Sequence, residues 1–270
     1  MKVAAVIPAR LGSRRFPRKV LARETGKFLV QHVYERVAGC PELDRVIIAT
    51  DSMEVRQACL SFGAEVRLTS PNHVSGTDRV AEVAADLSHD IVVNVQGDEP
   101  LVEHADISTL VRLFDLPDER VVMTTLVLAR HDPEGFRDPN IVKAVVGRNG
   151  NALYFSRSPA PFHEALSQDN CLEKGPGLEG QVEWFQHIGI YAYRRDFLVK
   201  LSSLPPSALE KRERLEQLRV LENGFTIRVG LTRSPHLGID TEEEYRHFIK
   251  EYLKGSEQQK LEHQSVEKSR

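Results

Sequence analysis

Four short runs rich in Val and Ile, at residues 3–7, 45–50, 65–68 and 91–95, are separated or followed by segments with apolar residues at helical spacing, at 29–37, 53–62, 77–86 and 104–114. Short apolar runs bounded by turn residues read as buried strands, and the i, i+3, i+4 pattern reads as helix. Strand and helix alternating at this rhythm predict an α/β fold with a Rossmann-like, doubly wound, mostly parallel sheet. Asp51 or Ser52 is placed to cap the second helix and Gly63 to end it. Ligands of such sheets sit beyond the carboxyl ends of the strands. That rule puts residues 8–19, 50–51 and 96–100 along one edge.

The second half changes character. Residues 121–129, 142–147 and 152–156 look like longer β segments without a helix between each pair, and Arg148-Asn149-Gly150-Asn151 is a hairpin signal. Residues 163–186 are irregular and polar, and a stretch of this length without structure reads as a mobile loop. A strand at 187–193, helices at 195–204, 206–211 and 213–222, and a last strand at 226–230 follow. Asp240 opens a final helix, 242–253. Residues 255–270 lack a hydrophobic face and are expected to form a disordered tail or a helical extension. The chain divides into a domain at 1–254 and this tail.

Lys and Arg number 36 against 39 Asp and Glu, for a formal net charge of -3. A general nucleic-acid binder carries a basic surplus, so no nucleic-acid partner is expected. No stretch reaches the roughly 20 apolar residues of a membrane span. The first apolar run is short and leads straight into arginines, so no secretory leader is read. Cys40, Cys59 and Cys171 are scattered without a CxxC pair, which fits reduced, inert thiols in a cytoplasmic protein.

Positive charge is instead concentrated after the first strand. Arg10, Arg14, Arg15, Arg18 and Lys19 share one turn-rich loop with Gly12, Ser13 and Pro17. Neither the GxxxxGK[ST] nor the GxGxxG spacing is present, so side chains must supply much of the charge for a phosphate chain, Arg as a bidentate fork and Lys as a point charge. Asp98, in Val-Asn-Val-Gln-Gly-Asp-Glu-Pro, ends a buried strand. It is either a ligand for a hard divalent cation or an acidic turn residue. Asp240, in Gly-Ile-Asp-Thr-Glu, is either a second such carboxylate or a helix cap. Ser75 and Gly76, in Ser-Gly-Thr-Asp-Arg, suit a flat ligand or a helix start equally. Arg157, His187, Tyr191, Glu216 and Gln217 form a last group. His187 and Tyr191 lie four apart in a strand and so share a face. Such residues suit a polyhydroxylated acid, although each is also an ordinary structural residue.

The segments IPARLGSRRFPRK, IIATD, TSPNHVSGTDR, VVNVQGDEP, ALYFSR, HIGIYAYR, LEQLRVLENG and GIDT, in this order between Val3 and about Tyr245, resemble the 3-deoxy-manno-octulosonate (Kdo) cytidylyltransferases. The resemblance implies a nucleotide-diphospho-sugar transferase fold with a smaller β-rich lobe at about 130–200 that forms a homodimer. It implies coupling of CTP to Kdo with Mg²⁺, giving CMP-Kdo and pyrophosphate for lipopolysaccharide. By that likeness Arg10, Arg15 and Lys19, with Asp98, are the catalytic residues. Arg10, Ser13, Arg15, Lys19, Ser75, Gly76 and Gln96 bind CTP. Arg157, His187, Tyr191, Glu216 and Gln217 bind the sugar acid, and Asp98 and Asp240 hold the metal.

The chain also departs from the family pattern. Arg14 and Arg18 stand where a small or neutral residue and a Gly are usual, Phe28-Leu29 replaces a Pro, and the 163–186 segment is long and acidic. These departures leave open an alternative acceptor, the 8-amino analogue of Kdo or a sialic acid. For Arg18 the expectation is crowding of the loop or an added phosphate contact.

Overall fold

Every residue of β1 (Val3–Pro8) is buried, and its side chains divide between two cores. Val3, Ala5 and Ile7 enter one hydrophobic cluster, and Ala4 and Val6 enter another on the opposite face. Ile48 parts from Ile47 and Ala49 in β2 (Arg45–Thr50), as do Ile91 and Val93 from Val92 in β4 (Ile91–Asn94). A strand covered on both faces needs apolar residues at every position, which is why these runs show no polar alternation. The computed structural model describes residues 1–13, 15–162, 183–235 and 238–267. In it α1 (Leu29–Ala38), α2 (Met53–Leu60) and α4 (His104–Arg112) cover the first face, through residues such as Val33, Val55 and Leu110. The second face is covered by α3 (Gly76–Ala85) and α6 (Arg195–Ser203), through Val80, Ala84, Leu198 and Leu201.

The strand order is β3-β2-β1-β4-β8-β5-β9, where β3 is Glu65–Leu68, β5 is Val121–Arg130, β8 is Trp184–Arg194 and β9 is Thr226–Thr232. The first four strands are parallel, and β9 is parallel to β5. β8 alone enters this row antiparallel, between β4 and β5. The expected doubly wound, mostly parallel sheet is therefore present. A hairpin of β6 (Lys143–Val146) and β7 (Ala152–Ser156) extends the same sheet from β8. Its turn uses Gly150 at φ +76°, a left-handed conformation that glycine adopts without steric cost.

Several boundaries differ from expectation. β8 begins at Trp184 rather than at 187, because the Trp184 ring packs on Phe136 and its Nε1 donates to the Asp132 carbonyl. Phe136 belongs to a short helix that periodicity missed, α5 (Pro133–Arg137), capped by Asp132 Oδ2 accepting from Gly135 N. The expected helices at 206–211 and 213–222 become α7 (Ala208–Glu213) and α8 (Gln217–Glu222), broken at Arg214, which is left-handed at φ 56° and ψ 47°. Helix α9 (Glu242–Glu267) runs through most of the expected disordered tail, and 268–270 lie outside the described residues. So do the body of the expected loop at 163–182, Cys171 and Arg14. Cys40 and Cys59 are free and buried, and burial pushes their thiols up to about 11 and about 12, as inert cysteines require. Among the described residues, no helix is long and apolar enough to cross a membrane.

α9 is anchored by Tyr245 and Phe248, which pack on Leu29 at the start of α1. His32 of α1 meets Phe248 and Tyr252 edge-on, with ring centroids 5.2 and 4.7 Å away. Burial, with the charge of Lys27 nearby, pushes the His32 imidazole down to about 4. The unfolded chain, with an ordinary His near 6.5, binds this proton better. Stability from His32 is therefore complete above about pH 6.5 and falls as pH drops from there toward 4, by about 1.4 kcal/mol per pH unit. Thermal unfolding between pH 7 and 4 reads this: His32→Gln flattens the acid limb, and an unchanged limb would contradict it.

Candidate active site

The carboxyl ends of β1 and β4 touch. A Cβ at Gly97 would lie 2.8 Å from the Pro8 carbonyl oxygen, so only glycine lets the two strand exits approach this closely. The loop leaving β1 ends in a 3-10 turn, Lys19–Leu21, which returns Lys19 beneath it. Lys19 is only 6% exposed, and its Nζ lies 2.5 Å from Asp98 Oδ2 and 3.0 Å from Asp240 Oδ1. Arg15 donates to the other oxygen of Asp240 at 2.6 Å. The backbone makes the same link, with Ile239 N donating to the Asp98 carbonyl at 2.9 Å. Two acids 142 positions apart in the chain thus share one buried ammonium.

The helix-cap role falls not to Asp240 but to its neighbour Thr241. Thr241 Oγ1 accepts from Glu244 N, and Glu244 Oε2 accepts from the backbone N–H of Asp240 and Thr241. This reciprocal arrangement satisfies the start of α9, so the Asp240 carboxylate is left to face Lys19 and Arg15. Ser75 goes the other way: its Oγ caps α3 by accepting from Asp78 N at 3.1 Å. Its side chain is therefore committed to the helix.

Around this centre lies a cavity of about 500 Å³, reached by Arg10, Gly12, Ser13, Arg15, Lys19, Ser75, Gly76, Gln96, Asp98 and Asp240. The structure thus gathers every sequence-predicted residue of the nucleotide and metal sets. It adds Arg79, a buried arginine that donates to Asp51 at 2.9 Å and to Thr69. Among the described residues, four lining cations face two lining carboxylates, an excess suited to a polyanion. Arg18 takes neither expected role. It sits at φ 60°, where glycine is cheapest, and its guanidinium turns away to Glu54 on α2.

A second cavity, of about 460 Å³, adjoins the first at Gly76 and Gln96, which line both. His187, Tyr191, Glu216 and Gln217 line it, as expected. Arg157 does not. Its Nε donates to the Glu213 carbonyl and its Nη1 to the Pro139 carbonyl, so the guanidinium braces the wall from behind. Lys143 braces the same wall: its buried Nζ donates to the carbonyls of Asp138, Ile141 and Arg157.

Burial makes this cavity mostly a set of neutral polar groups. It pushes His187 down to about 3 and Tyr191 further up. Burial, with the charge of Asp98, pushes Glu99 up to about 8 against the pull of Lys19. Glu216 reaches solvent along the cavity but is walled by protein, which raises its carboxyl above the ordinary range. Thr125 Oγ1 lies 3.1 Å from His187 Nε2 and 3.1 and 3.0 Å from the carbonyls of Ile188 and Ile190. Carbonyls only accept, so the hydroxyl proton goes to one of them and the oxygen accepts from His187 Nε2–H. Nδ1 is then left as an acceptor. Among the described residues, Gln217 Nε2 and Glu99 Oε2 are buried without a hydrogen-bond partner.

Two of the lining residues that sequence reasoning missed bear on the shape and charge of this cavity. Gly189 lies between His187 and Tyr191 on β8, and a Cβ there would meet nothing within 4 Å. The cavity floor is this vacant side-chain position, hinted at by a glycine inside an otherwise apolar strand. The other is Arg214, for which the sequence carried no signal.

Comparison with known proteins agrees with this geometry. A family model for cytidylyltransferases matches residues 4–228. The 3-deoxy-manno-octulosonate cytidylyltransferase of Pelobacter propionicus is 49% identical over 243 residues, covering 89% of this chain and 93% of its own. That of Solibacter usitatus is 49% identical over 244 residues, covering 90% and 91%. A solved structure of CMP:2-keto-3-deoxy-manno-octonic acid synthetase complexed with CTP superposes with a TM-score of 0.84 at 38% identity, covering 94% of this chain and 100% of that one. Cavities, charges and relatives converge, and the chain belongs to the 3-deoxy-manno-octulosonate cytidylyltransferase family.

Proposed function

We propose that the chain couples CTP to Kdo, giving CMP-Kdo and pyrophosphate. One observation carries the reading: a cation-rich cavity built on Lys19, Asp98 and Asp240 opens, at Gly76 and Gln96, into a cavity lined by hydrogen-bonding groups, among them His187, Tyr191 and Gln217. A triphosphate fits the first and a sugar acid the second. The nucleotide's α-phosphorus then falls at their junction, facing the acceptor.

In the reaction the anomeric hydroxyl oxygen of the acid forms a bond to the α-phosphorus. The bond from that phosphorus to the bridging oxygen of the β-phosphate breaks, the electron pair leaves with pyrophosphate, and the hydroxyl proton is released. A hemiketal hydroxyl is more acidic than a simple alcohol, and no side-chain base is assigned. Such transfers depend on positioning and charge stabilisation. Arg10, Arg15 and Lys19 hold the triphosphate and meet the charge that develops on the leaving group. His187 Nδ1, the Tyr191 hydroxyl, Glu216 and the Gln217 amide orient the acceptor's hydroxyls.

Mg²⁺ belongs to the same proposal. The Lys19 ammonium already draws one oxygen from each of Asp98 and Asp240, so the pair fits a cation that takes one or two carboxylates and fills its shell with phosphate oxygens. Among the described residues no group of three or more ligating side chains exists, consistent with a site that nucleotide completes. When bound, the ion neutralises phosphate oxygens and acidifies a coordinated hydroxyl. A cytoplasmic location, a role in supplying lipopolysaccharide and a homodimer formed through the lobe at about 130–200 complete the proposal. They rest on the family likeness, and light scattering giving only the 30.5 kDa monomer would remove the dimer.

The direct test is pyrophosphate release. It should require CTP, Kdo and Mg²⁺ together, and its absence with all three present would defeat the assignment. Lys19→Met should lower kcat by about 100- to 1,000-fold while changing the CTP KM much less, as for loss of a group acting on transition-state charge. Equal losses would show a role in binding alone. Gly189→Val fills the cavity floor without a backbone clash, so the KM for Kdo should rise at least about tenfold while Tm and the KM for CTP hold. An unchanged Kdo KM would displace the acceptor from this cavity.

A further inference from the structure

Arg214 has three properties that no structural role explains together. Among the described residues, it is the one Lys or Arg that lines the acceptor cavity. It is exposed, and it has no ion pair among the described residues. It also stands in the left-handed region, at φ 56° and ψ 47°, closing α7 where glycine or asparagine costs least. A non-glycine residue held there loses about 1 kcal/mol or more, which persists only where its surroundings fix it and is common where the side chain has a use.

The surroundings do fix it. On one side, Glu213 accepts hydrogen bonds at its carboxylate from Tyr154, Ser156 and the backbone N–H of Arg157, and at its carbonyl from Arg157 Nε. On the other, Leu215 is 7% exposed and its N–H donates to the Glu210 carbonyl. With both neighbours held, the Arg214 side chain is delivered to the cavity that Glu216 and Gln217 line from the same connection. Arg157 and Glu213, members of this bracing network, set the wall from which Arg214 projects.

Resting on the Kdo reading above, we propose that Arg214 selects the acceptor by charge. Its guanidinium donates to the oxygens of an anionic, hydroxyl-rich acid, and it disfavours an otherwise identical acceptor that carries an ammonium group. Burial keeps His187 and Tyr191 neutral, so neither adds a charge of its own. A fixed like charge against the wrong ligand is an economical route to specificity, because it need not tighten binding of the right one.

The experiment compares Kdo with its 8-amino analogue in the unsubstituted enzyme and in Arg214→Ala, Arg214→Gly and Arg214→Lys, with Mg²⁺ and CTP. The unsubstituted enzyme should prefer Kdo. Arg214→Ala should raise the KM for Kdo by about tenfold or more, the scale of a lost charge-assisted hydrogen bond, and leave the KM for CTP alone. The ratio of kcat/KM between the two acceptors should shrink. Arg214→Lys, which keeps the charge, should preserve the ratio. Arg214→Gly separates selection from folding: it relieves the left-handed backbone, so Tm should hold or rise while selection is lost. An unchanged ratio in the Ala and Gly variants, or a Kdo KM that does not move, would overturn the proposal. If the unsubstituted enzyme turns over neither acceptor, the Kdo reading itself fails and the proposal goes with it.

Discussion

The site depends on one buried ammonium. Lys19 joins three segments that are distant in sequence: the loop after β1, the exit of β4 and the approach to α9. An ammonium withdrawn from water needs compensating charge, and removing a partner from a buried pair typically costs about 3–5 kcal/mol. Asp98 and Asp240 supply that charge, and Lys19 in turn lets two carboxylates sit side by side before any ligand arrives. The fold therefore holds two carboxylates and an ammonium together at the exits of β1 and β4.

The two cavities differ in how densely they are charged. The first concentrates arginines around exchangeable ionic contacts. The second buries His187 and Tyr191 in neutral form and carries Arg214 at its wall. Their meeting at Gly76 and Gln96 uses small size at one residue and an amide at the other. Ser75 contributes the helix start that presents Gly76 there.

Much of this was legible in the residues. β1, β2 and β4 are covered on both faces, so their unbroken apolar runs announced a doubly wound sheet, and the edge rule then located the cationic loop and Asp98 together. Asp240 was ambiguous because Gly-Ile-Asp-Thr-Glu satisfies both a ligand and a cap. Only the bonds between Thr241 and Glu244 show that the cap is Thr241. Arg157 could not be placed, because its partners are main-chain carbonyls of Pro139 and Glu213, which no spacing reveals. Arg214 was invisible for a similar reason, since its left-handed backbone is imposed by bonds to its neighbours. The helix beyond 254 has no apolar stripe; Glu, Gln, Lys and Leu carry it by intrinsic propensity instead.

The central claim is that Asp98 and Asp240 converge, through Lys19, on one nucleotide-bound cation. A crystal structure of the chain with CTP and Mn²⁺, read by anomalous scattering, tests this most directly. The account predicts one strong peak at the triphosphate in contact with a carboxylate oxygen of each aspartate, with Lys19 turned toward the phosphates. A peak bound by only one of them, or none in this cavity, would contradict it.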